Sequence, residues 1–406
     1  MLRTNLMIVQ GGGPTAVFNA SLAEIVAEAK RQPSVGRILG ARFGVKGLIR
    51  SELADMTEMT AADLELLRRT PGAALGSSRH CPTEVELDRL VETLREREVG
   101  YLLFVGGNGT MRGAAMVSDA CRSAGLDVQV AGAPKTVDND IAATDRCPGY
   151  ASAARYLAAS TQELGADLRS LPQPVTILET MGRSVGWLAA ATVLARREEG
   201  DAPQLVYVPE VPFATDAFLA ALEGVVSRHG WAVVVVAEGI RNRDGSMVYE
   251  VTDAAQTDPL KRPMTGGVAQ HLAGVVSKAL GIRCRSEKPG LLARASMALV
   301  SEQDMADAAL VGRVAVQAPA AGESGVMAAL LPLGAGTRLV PLGEAAGMER
   351  SIPAEWLRDG AIPVAQEFCN YLRPLVGELD RHIAELPAAE MKERPESVTS
   401  AAKAAV

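Results

Sequence analysis

No cluster of lysine and arginine interrupts this chain. Its 41 basic and 48 acidic residues are spread along 406 positions and leave a formal charge of −7. A nucleic-acid or anionic-membrane surface is therefore not expected, and any anion site has to be local. A cysteine framework is missing as well. The five cysteines (Cys81, Cys121, Cys147, Cys284 and Cys369) are odd in number and far apart, without a CxxC pair or a nearby histidine cluster. This argues against disulfide scaffolding and structural zinc and fits a reducing cytoplasm. The opening MLRTNLMIVQGGG meets glycines after a short apolar run, too soon for a membrane span or a signal-peptide core, and is read as a first strand. That strand is not followed by GxGxxG or by an acidic ribose ligand, so a Rossmann dehydrogenase is not expected. His80, His229, His271 and His382 stand apart from one another. They are expected to be structural or surface residues, and no histidine catalysis follows from them.

What is present is length and apolar content: at 48% hydrophobic, 406 residues suffice for two α/β lobes with a cleft between them. Short apolar runs recur, each followed by a turn and a stretch of helical period: LMIVQ before AVFNASLAEIVAEAKR, YLLFV before MRGAAMVSDACRSAG, VTILET before VGWLAAATVLARR. WAVVVVAEG looks like a further strand buried on both sides, and GESGVMAALL with TRLVPLG like a late hairpin. The spacing predicts two Rossmann-like three-layer lobes with mostly parallel sheets, where ligands collect at the carboxyl ends of strands. Trp187 reads as helix core. Arg196, Arg197 and Arg241 to Arg243 read as solvated loop charges, and the Ala-rich charged tail as frayed.

Three small-residue turns carry the first chemical signal. Gly11-Gly12-Gly13-Pro14-Thr15 follows the first strand and Gly106-Gly107-Asn108-Gly109-Thr110 follows YLLFV, each leading into a helix, while Gly72 to Arg79 forms a third loop ending in a cation. Glycines let backbone N–H groups approach an anion and a helix N-terminus adds its positive dipole end, so three such loops point to several phosphates. The strand DVQVAGA then runs into Pro134-Lys135-Thr136-Val137-Asp138-Asn139-Asp140-Ile141. Two carboxylates two residues apart beside a lysine suit a site where one acid takes a proton and a cation steadies phosphoryl oxygens. A helix-capping Asx turn would give a similar pattern.

The whole string decides between them: PKTVDNDI closely resembles the PKTIDNDI signature of phosphofructokinases, and GGPTAVFNAS, GAALGSSR, GGNGT, ETMGR and AEG resemble the remaining signatures in order over roughly residues 5 to 300. GGPTAV resembles the pyrophosphate-dependent branch. The resemblance implies Mg²⁺-dependent phosphoryl transfer from pyrophosphate to fructose 6-phosphate, a cytoplasmic, reversible glycolytic step. It implies an active site between a donor lobe (1–150, rejoined by about 295–345) and a sugar lobe (151–294, rejoined by about 346–385), with a flexible tail at 386–406. Asp138 matches the general base, and Lys135 and Arg183 join it as catalytic groups. Gly12, Arg79, Gly107, Asn108, Gly109 and Thr110 match donor contacts, and Asn108 and Asp140 the metal positions. Thr136, Asp138, Met181, Gly182, Arg183, Glu238, Arg285, Leu291 and Arg294 fall at acceptor positions. The family's counterpart of Arg285 reaches across from a neighbouring subunit, which implies a homodimer or homotetramer.

The chain departs from the pattern at several places. Asn108 replaces a metal aspartate and supplies less charge. Gly109 removes an aspartate that excludes ATP from pyrophosphate enzymes, whereas Lys135 fills space near the nucleotide phosphates and favours pyrophosphate. ATP therefore stays open as donor. Pro174 stands where many relatives have an arginine for the sugar phosphate, and Leu291 and Ala293 replace polar or aromatic residues. Sedoheptulose 7-phosphate or another ketose phosphate thus stays open as acceptor, and so does a catalytically weak sugar-phosphate-binding regulatory paralogue. Ala23 and Ala27 replace effector-binding arginines, so nucleotide regulation of that type is not expected.

Overall fold

A computed structural model describes residues 3–170, 175–250, 266–347 and 349–379. Pro174, His382 and the tail from 386 lie outside the described residues.

Among the described residues eleven strands form two sheets. The first has seven: β1 (Thr4–Gln10), β2 (Val35–Ala41), β3 (Leu53–Asp55), β4 (Val99–Gly106), β5 (Gln129–Pro134), β10 (Val326–Leu330) and β11 (Thr337–Pro341). Their order is β11-β10-β5-β4-β1-β2-β3. All neighbours are parallel except the two edges, where β3 and β11 pair antiparallel. The second sheet is built from β6 (Val175–Thr180), β7 (Leu205–Tyr207), β8 (Ala232–Ala237) and β9 (Cys284–Glu287). It is parallel throughout, in the order β7-β8-β6-β9.

The unbroken apolar runs follow from burial on both faces. In β1, Met7 and Val9 enter one core cluster with Leu102 and Phe104 of β4, whereas Leu6 and Ile8 enter the cluster on the other face with Phe18, Leu22 and Val311. Successive side chains of a strand point to opposite faces, so a strand covered by helices on both sides needs apolar residues at every position. The second sheet has one large core. It takes in every residue of β8 from Ala232 to Ala237, together with Trp187, Phe218 and, from late in the chain, Phe368, Leu372 and Leu375. The chain thus returns twice: the hairpin of β10 and β11 completes the first sheet, and helix Gln366–Val376 covers the second.

Trp187 is fully buried, as its helical context suggests. Its ring lies 5.9 Å from Phe368, 5.7 Å from Tyr371 and 6.0 Å from Tyr150. Arg196 differs from the expectation of a solvated charge: its guanidinium binds the carbonyls of Asp201, Pro203 and Glu199 and closes that loop on itself. No helix among the described residues is long and apolar enough to cross a membrane. Removing the central ring of the aromatic cluster should leave a cavity that the surrounding side chains cannot fill. Trp187→Ala is expected to lower stability by about 3–5 kcal/mol, read as a lower urea midpoint with unchanged slope.

Candidate functional site

In the first sheet the chain leaves β1 toward β2 on one side, and β4 and β5 lie on the other, so the order reverses at β1 and β4. Ligands settle outside the carboxyl ends at such a point. Gly11 to Thr15 leaves β1 there, Gly107 to Thr110 opens helix Asn108–Ser123 after β4, and Lys135 to Ile141 follows β5. Gly12 is left-handed, with φ +81°, which turns the loop tightly enough for its N–H to donate to Ser78 O at 3.0 Å. The 72–79 loop is thereby stitched to the β1 turn, where the Ser77 hydroxyl also donates to Gly12 O at 2.7 Å.

Three cations converge on this turn. Lys135 is 1% exposed; its Nζ donates to Gly13 O and lies 4.3 Å from the centre of the Phe18 ring. Arg294 Nη1 stands 2.9 Å, and Arg79 Nη2 3.8 Å, from where a Cβ on Gly13 would be. Burial, then the nearby Arg294 charge, lowers the Lys135 pKa to about 7 despite the opposing pull of Asp138. Burial and Arg79 likewise lower that of Arg294. Among the described residues neither arginine has a carboxylate within ion-pair distance. The turn is thus a concentration of positive charge suited to an anion.

The acids face it. Asp138 and Asp140 are carried by an extended loop whose middle residue, Asn139, is left-handed at φ +55° and fully buried. Asparagine tolerates that conformation better than most residues. Its side chain accepts from Cys147 N–H at 2.9 Å and donates to the Tyr371 hydroxyl at 3.2 Å. With Asn139 turned into the protein, its two neighbours are turned toward the cleft. Burial, then the charges of Asp140 and Glu238, holds the Asp138 carboxyl well above the usual carboxylate range, and burial, helped by Glu349, raises that of Asp140. Glu238 follows β8 in the other sheet, so its influence on Asp138 reflects two sheets that present their carboxyl ends to one another.

Asn108 Nδ2 donates to the carboxylate of Asp140 at 3.0 Å and to its carbonyl at 3.2 Å. Asn108 Oδ1 and Asp140 Oδ1 are both buried without a hydrogen-bond partner among the described residues. Two neighbouring orphaned oxygens, one amide and one carboxylate, suit a hard divalent cation that takes its other ligands from water and phosphate. Among the described residues no group of three or more His, Cys, Asp or Glu is placed to hold a metal. Any cation here would take its remaining ligands from water and phosphate.

From the second sheet, Met181 to Arg183 follows β6 and Glu238 to Gly239 follows β8. Glu238 N–H donates to Thr180 O at 3.0 Å and Gly239 N–H to Gly182 O at 3.1 Å. A side chain on Gly239 would collide with the Arg183 carbonyl, so glycine is required where the two loops lie together. Thr136 lies beside Asp138, accepting its N–H at 3.1 Å. The Thr110 hydroxyl fills the space beside Gly11 and Gly106. Arg285 is exposed on the edge strand β9, opposite Thr176 and not the carboxyl-terminal Thr180, so the fold does not bring it to this gathering. Leu291 is 65% exposed at the start of helix Leu291–Ala295. Arg294, which the resemblance puts among the acceptor positions, has its guanidinium at the β1 turn. His80 is engaged elsewhere, 2.9 Å from both carboxylate oxygens of Glu86.

Supports that sequence reasoning missed are Asn139, Tyr371, Arg146, Asp304 and Asp307. The run SEQD at 301–304 signals only a helix start, because Ser301 does cap Asp304 N–H at 3.2 Å. That the Asp304 carboxylate serves a different helix has no local sequence mark.

Together these groups can take a proton at Asp138, hold a phosphate chain at Gly12, Arg79 and Lys135, and bind a polar acceptor at Glu238 and Arg183. The phosphofructokinase family profile matches residues 5–318. The chain is 37% identical over 389 residues to a pyrophosphate–fructose 6-phosphate 1-phosphotransferase of Xanthomonas campestris pv. campestris, covering 93% of this chain and 92% of the relative. It is 35% identical over 322 residues to a sulfofructose kinase of Alkalicoccus urumqiensis, covering 79% and 81%. The crystal structure of a pyrophosphate-dependent phosphofructokinase from Marinobacter aquaeolei superposes with a TM-score of 0.82 at 32% identity over 94% of each chain.

A carboxyl group whose folded pKa is raised weakens the fold once pH exceeds its unfolded pKa, and does so fully above its folded pKa. Asp138→Asn is therefore expected to raise the thermal midpoint at pH 8, a gain that shrinks as pH falls toward the ordinary aspartate value of about 4. The same variant should lower kcat by on the order of 10²–10⁴-fold. Thermal unfolding across pH, together with steady-state rates, checks both.

Proposed function

This chain belongs to the phosphofructokinase family, and from that premise we propose that it transfers a phosphoryl group from pyrophosphate to the 1-hydroxyl of fructose 6-phosphate, giving fructose 1,6-bisphosphate and phosphate. The observation that carries the reading is the meeting of Lys135, Arg79 and Arg294 at Gly13 opposite the Asp138 carboxylate.

Pyrophosphate lies against the β1 turn, its leaving phosphate held by Gly12, by the amide groups that open helix Asn108–Ser123 and by the cations. Asp138, made basic by burial beside Asp140 and Glu238, accepts the proton of the sugar hydroxyl. The freed oxygen forms a bond to the near phosphorus, the bridging P–O bond breaks, and its electron pair leaves with inorganic phosphate. Arg183 and Arg294 steady charge on the transferred group. Mg²⁺, held by Asn108 and Asp140, would supply further neutralisation of the phosphate oxygens. Glu238 and the backbone of Met181 and Gly182 orient the sugar. Arg285, exposed on β9, is free to serve a second subunit's acceptor site, as a homodimer or homotetramer requires. The cytoplasm, a glycolytic role, and transfer in both directions are part of the same proposal, as is the division into a donor lobe and a sugar lobe each completed by a returning segment.

A second reading concerns the donor. A Cβ on Gly109 would meet nothing within 4 Å, which leaves room for the longer phosphate chain of ATP. On the acceptor side, the likeness to a sulfofructose kinase keeps another anionic ketose in view.

The donor proposal makes Lys135 the selector. Lys135→Met preserves most of the volume and removes the charge; Lys135→Gly removes both. Both are expected to lower pyrophosphate-dependent kcat/KM by at least about tenfold, equivalent to about 1.4 kcal/mol of transition-state stabilisation, and only Lys135→Gly should gain ATP binding. Steady-state kinetics with each donor free of the other decides. Efficient ATP use by the wild type, with pyrophosphate turnover unchanged in both variants, would favour the ATP reading.

A further inference from the structure

Helix Tyr150–Arg169 starts from Gly149 in a left-handed conformation and has no side-chain cap of its own. A helix leaves its first N–H groups without partners, and buried ones have to be satisfied from elsewhere. Here the partner is Asp304, 1% exposed, on helix Glu302–Ala320. Gly149 N–H donates to Asp304 Oδ1 at 2.8 Å and Ser152 N–H to Oδ2 at 3.0 Å, and the Ser152 hydroxyl donates to Oδ2 as well. That hydroxyl in turn accepts Ser301 N–H at 3.1 Å.

The grip extends to the catalytic loop in three consecutive steps. Pro148, next to Gly149, accepts Thr136 N–H at 3.1 Å, and the Thr136 hydroxyl accepts Asp138 N–H at 3.1 Å. One turn further along the same helix, Asp307 takes Arg146 through both carboxylate oxygens at 2.6 and 2.8 Å, and Arg146 also donates to Leu331 O at 2.7 Å. Two carboxylates of one helix thus hold the far end of the loop that begins at Lys135. Asp304 is not needed for contact with substrate, since both of its carboxylate oxygens are already engaged.

We propose that Asp304 is a positioning residue for phosphoryl transfer, fixing through Gly149, Pro148 and Thr136 where the Asp138 carboxylate stands. The proposal rests on the assignment of Asp138 as the base. A misplacement of about 1 Å at a reacting group lowers turnover by on the order of 10²-fold while leaving binding groups elsewhere in place.

The test is Asp304→Asn in the full-length protein. The amide keeps the volume and one acceptor oxygen but turns a donor toward Gly149 or Ser152. kcat is expected to fall by about tenfold to hundredfold, with KM for pyrophosphate and fructose 6-phosphate within about twofold of wild type. Amide hydrogen exchange should accelerate at residues 136–141 while β1 and β4 keep wild-type protection. Ser152→Ala, which removes one of three donors to Asp304 and with it the acceptor of Ser301 N–H, should show the same pattern at about threefold in kcat, and stands in if Asp304→Asn does not fold. Wild-type kcat with wild-type exchange at 136–141 overturns the proposal, and so does a rise in KM at unchanged kcat. Assays with pyrophosphate and with ATP separate this from the functional reading: a wild type inactive with both donors overturns that reading, and the exchange measurement then decides the role of Asp304 alone.

Discussion

A buried ammonium beneath a glycine turn is the constraint to which the rest of the structure answers. Lys135 lies under Gly13 with one carbonyl and one aromatic face for company, and two guanidinium groups share the same turn. Burial and like charge both disfavour this arrangement. On the same loop Asp138 and Asp140, with Glu238 from the other sheet, repel one another in the same way. Each half would be relieved by the other, or by a phosphate chain carrying its own charge and its own cation. The site is therefore strained by its own charges, and on the proposed function a small, highly charged donor relieves that strain.

Strained loops persist only where their surroundings over-determine them. That explains how much of the chain after residue 300 is devoted to support. Asp304 and Asp307 hold the end of the loop that carries Asp138, Tyr371 receives Asn139 and donates to Asp145 O at 2.9 Å, and Arg350 N–H donates to Asp140 O at 2.8 Å. Arg350 also lies 4.5 Å from the Trp187 ring, and its carbonyl accepts Trp187 Nε1–H at 3.1 Å, so one short segment joins Asp140 to the element that follows Met181-Gly182-Arg183. The two sheets are coupled at their reacting edges by residues outside the proposed substrate contacts.

The strands and turns that bear the chemistry were legible because their signals are local. A run buried on both faces is apolar at every position, a phosphate turn is rich in glycine, and the acid loop stands in one stretch of eight residues. The return of β10 and β11 to the first sheet was legible as a late hairpin, though the strand it would join was not. What escaped were contacts between positions far apart. Asp304 is written as the third residue of its own helix and acts on another helix some 150 residues earlier. Asn139 looks like an Asx turn, and only the fold shows that it points inward so that its neighbours point outward. Arg294 fell at an acceptor position by resemblance, and only the fold shows its guanidinium at the β1 turn, since sequence spacing carries no information on which way a flexible side chain turns.

On the proposed function the positive charge at Gly13 is held in reserve for pyrophosphate, and proton linkage reads it directly. With the Lys135 pKa lowered to about 7, part of the free protein carries a neutral amine at a pH of about 7.5, and a bound polyanion restores its charge. Calorimetric titration of pyrophosphate with Mg²⁺ in two buffers of different ionisation enthalpy gives the protons exchanged on binding. The wild type is expected to take up more protons per pyrophosphate than Lys135→Met, with the difference vanishing below about pH 6 as the lysine becomes charged in both states. Equal proton exchange by the two proteins at that starting pH of about 7.5 would contradict it.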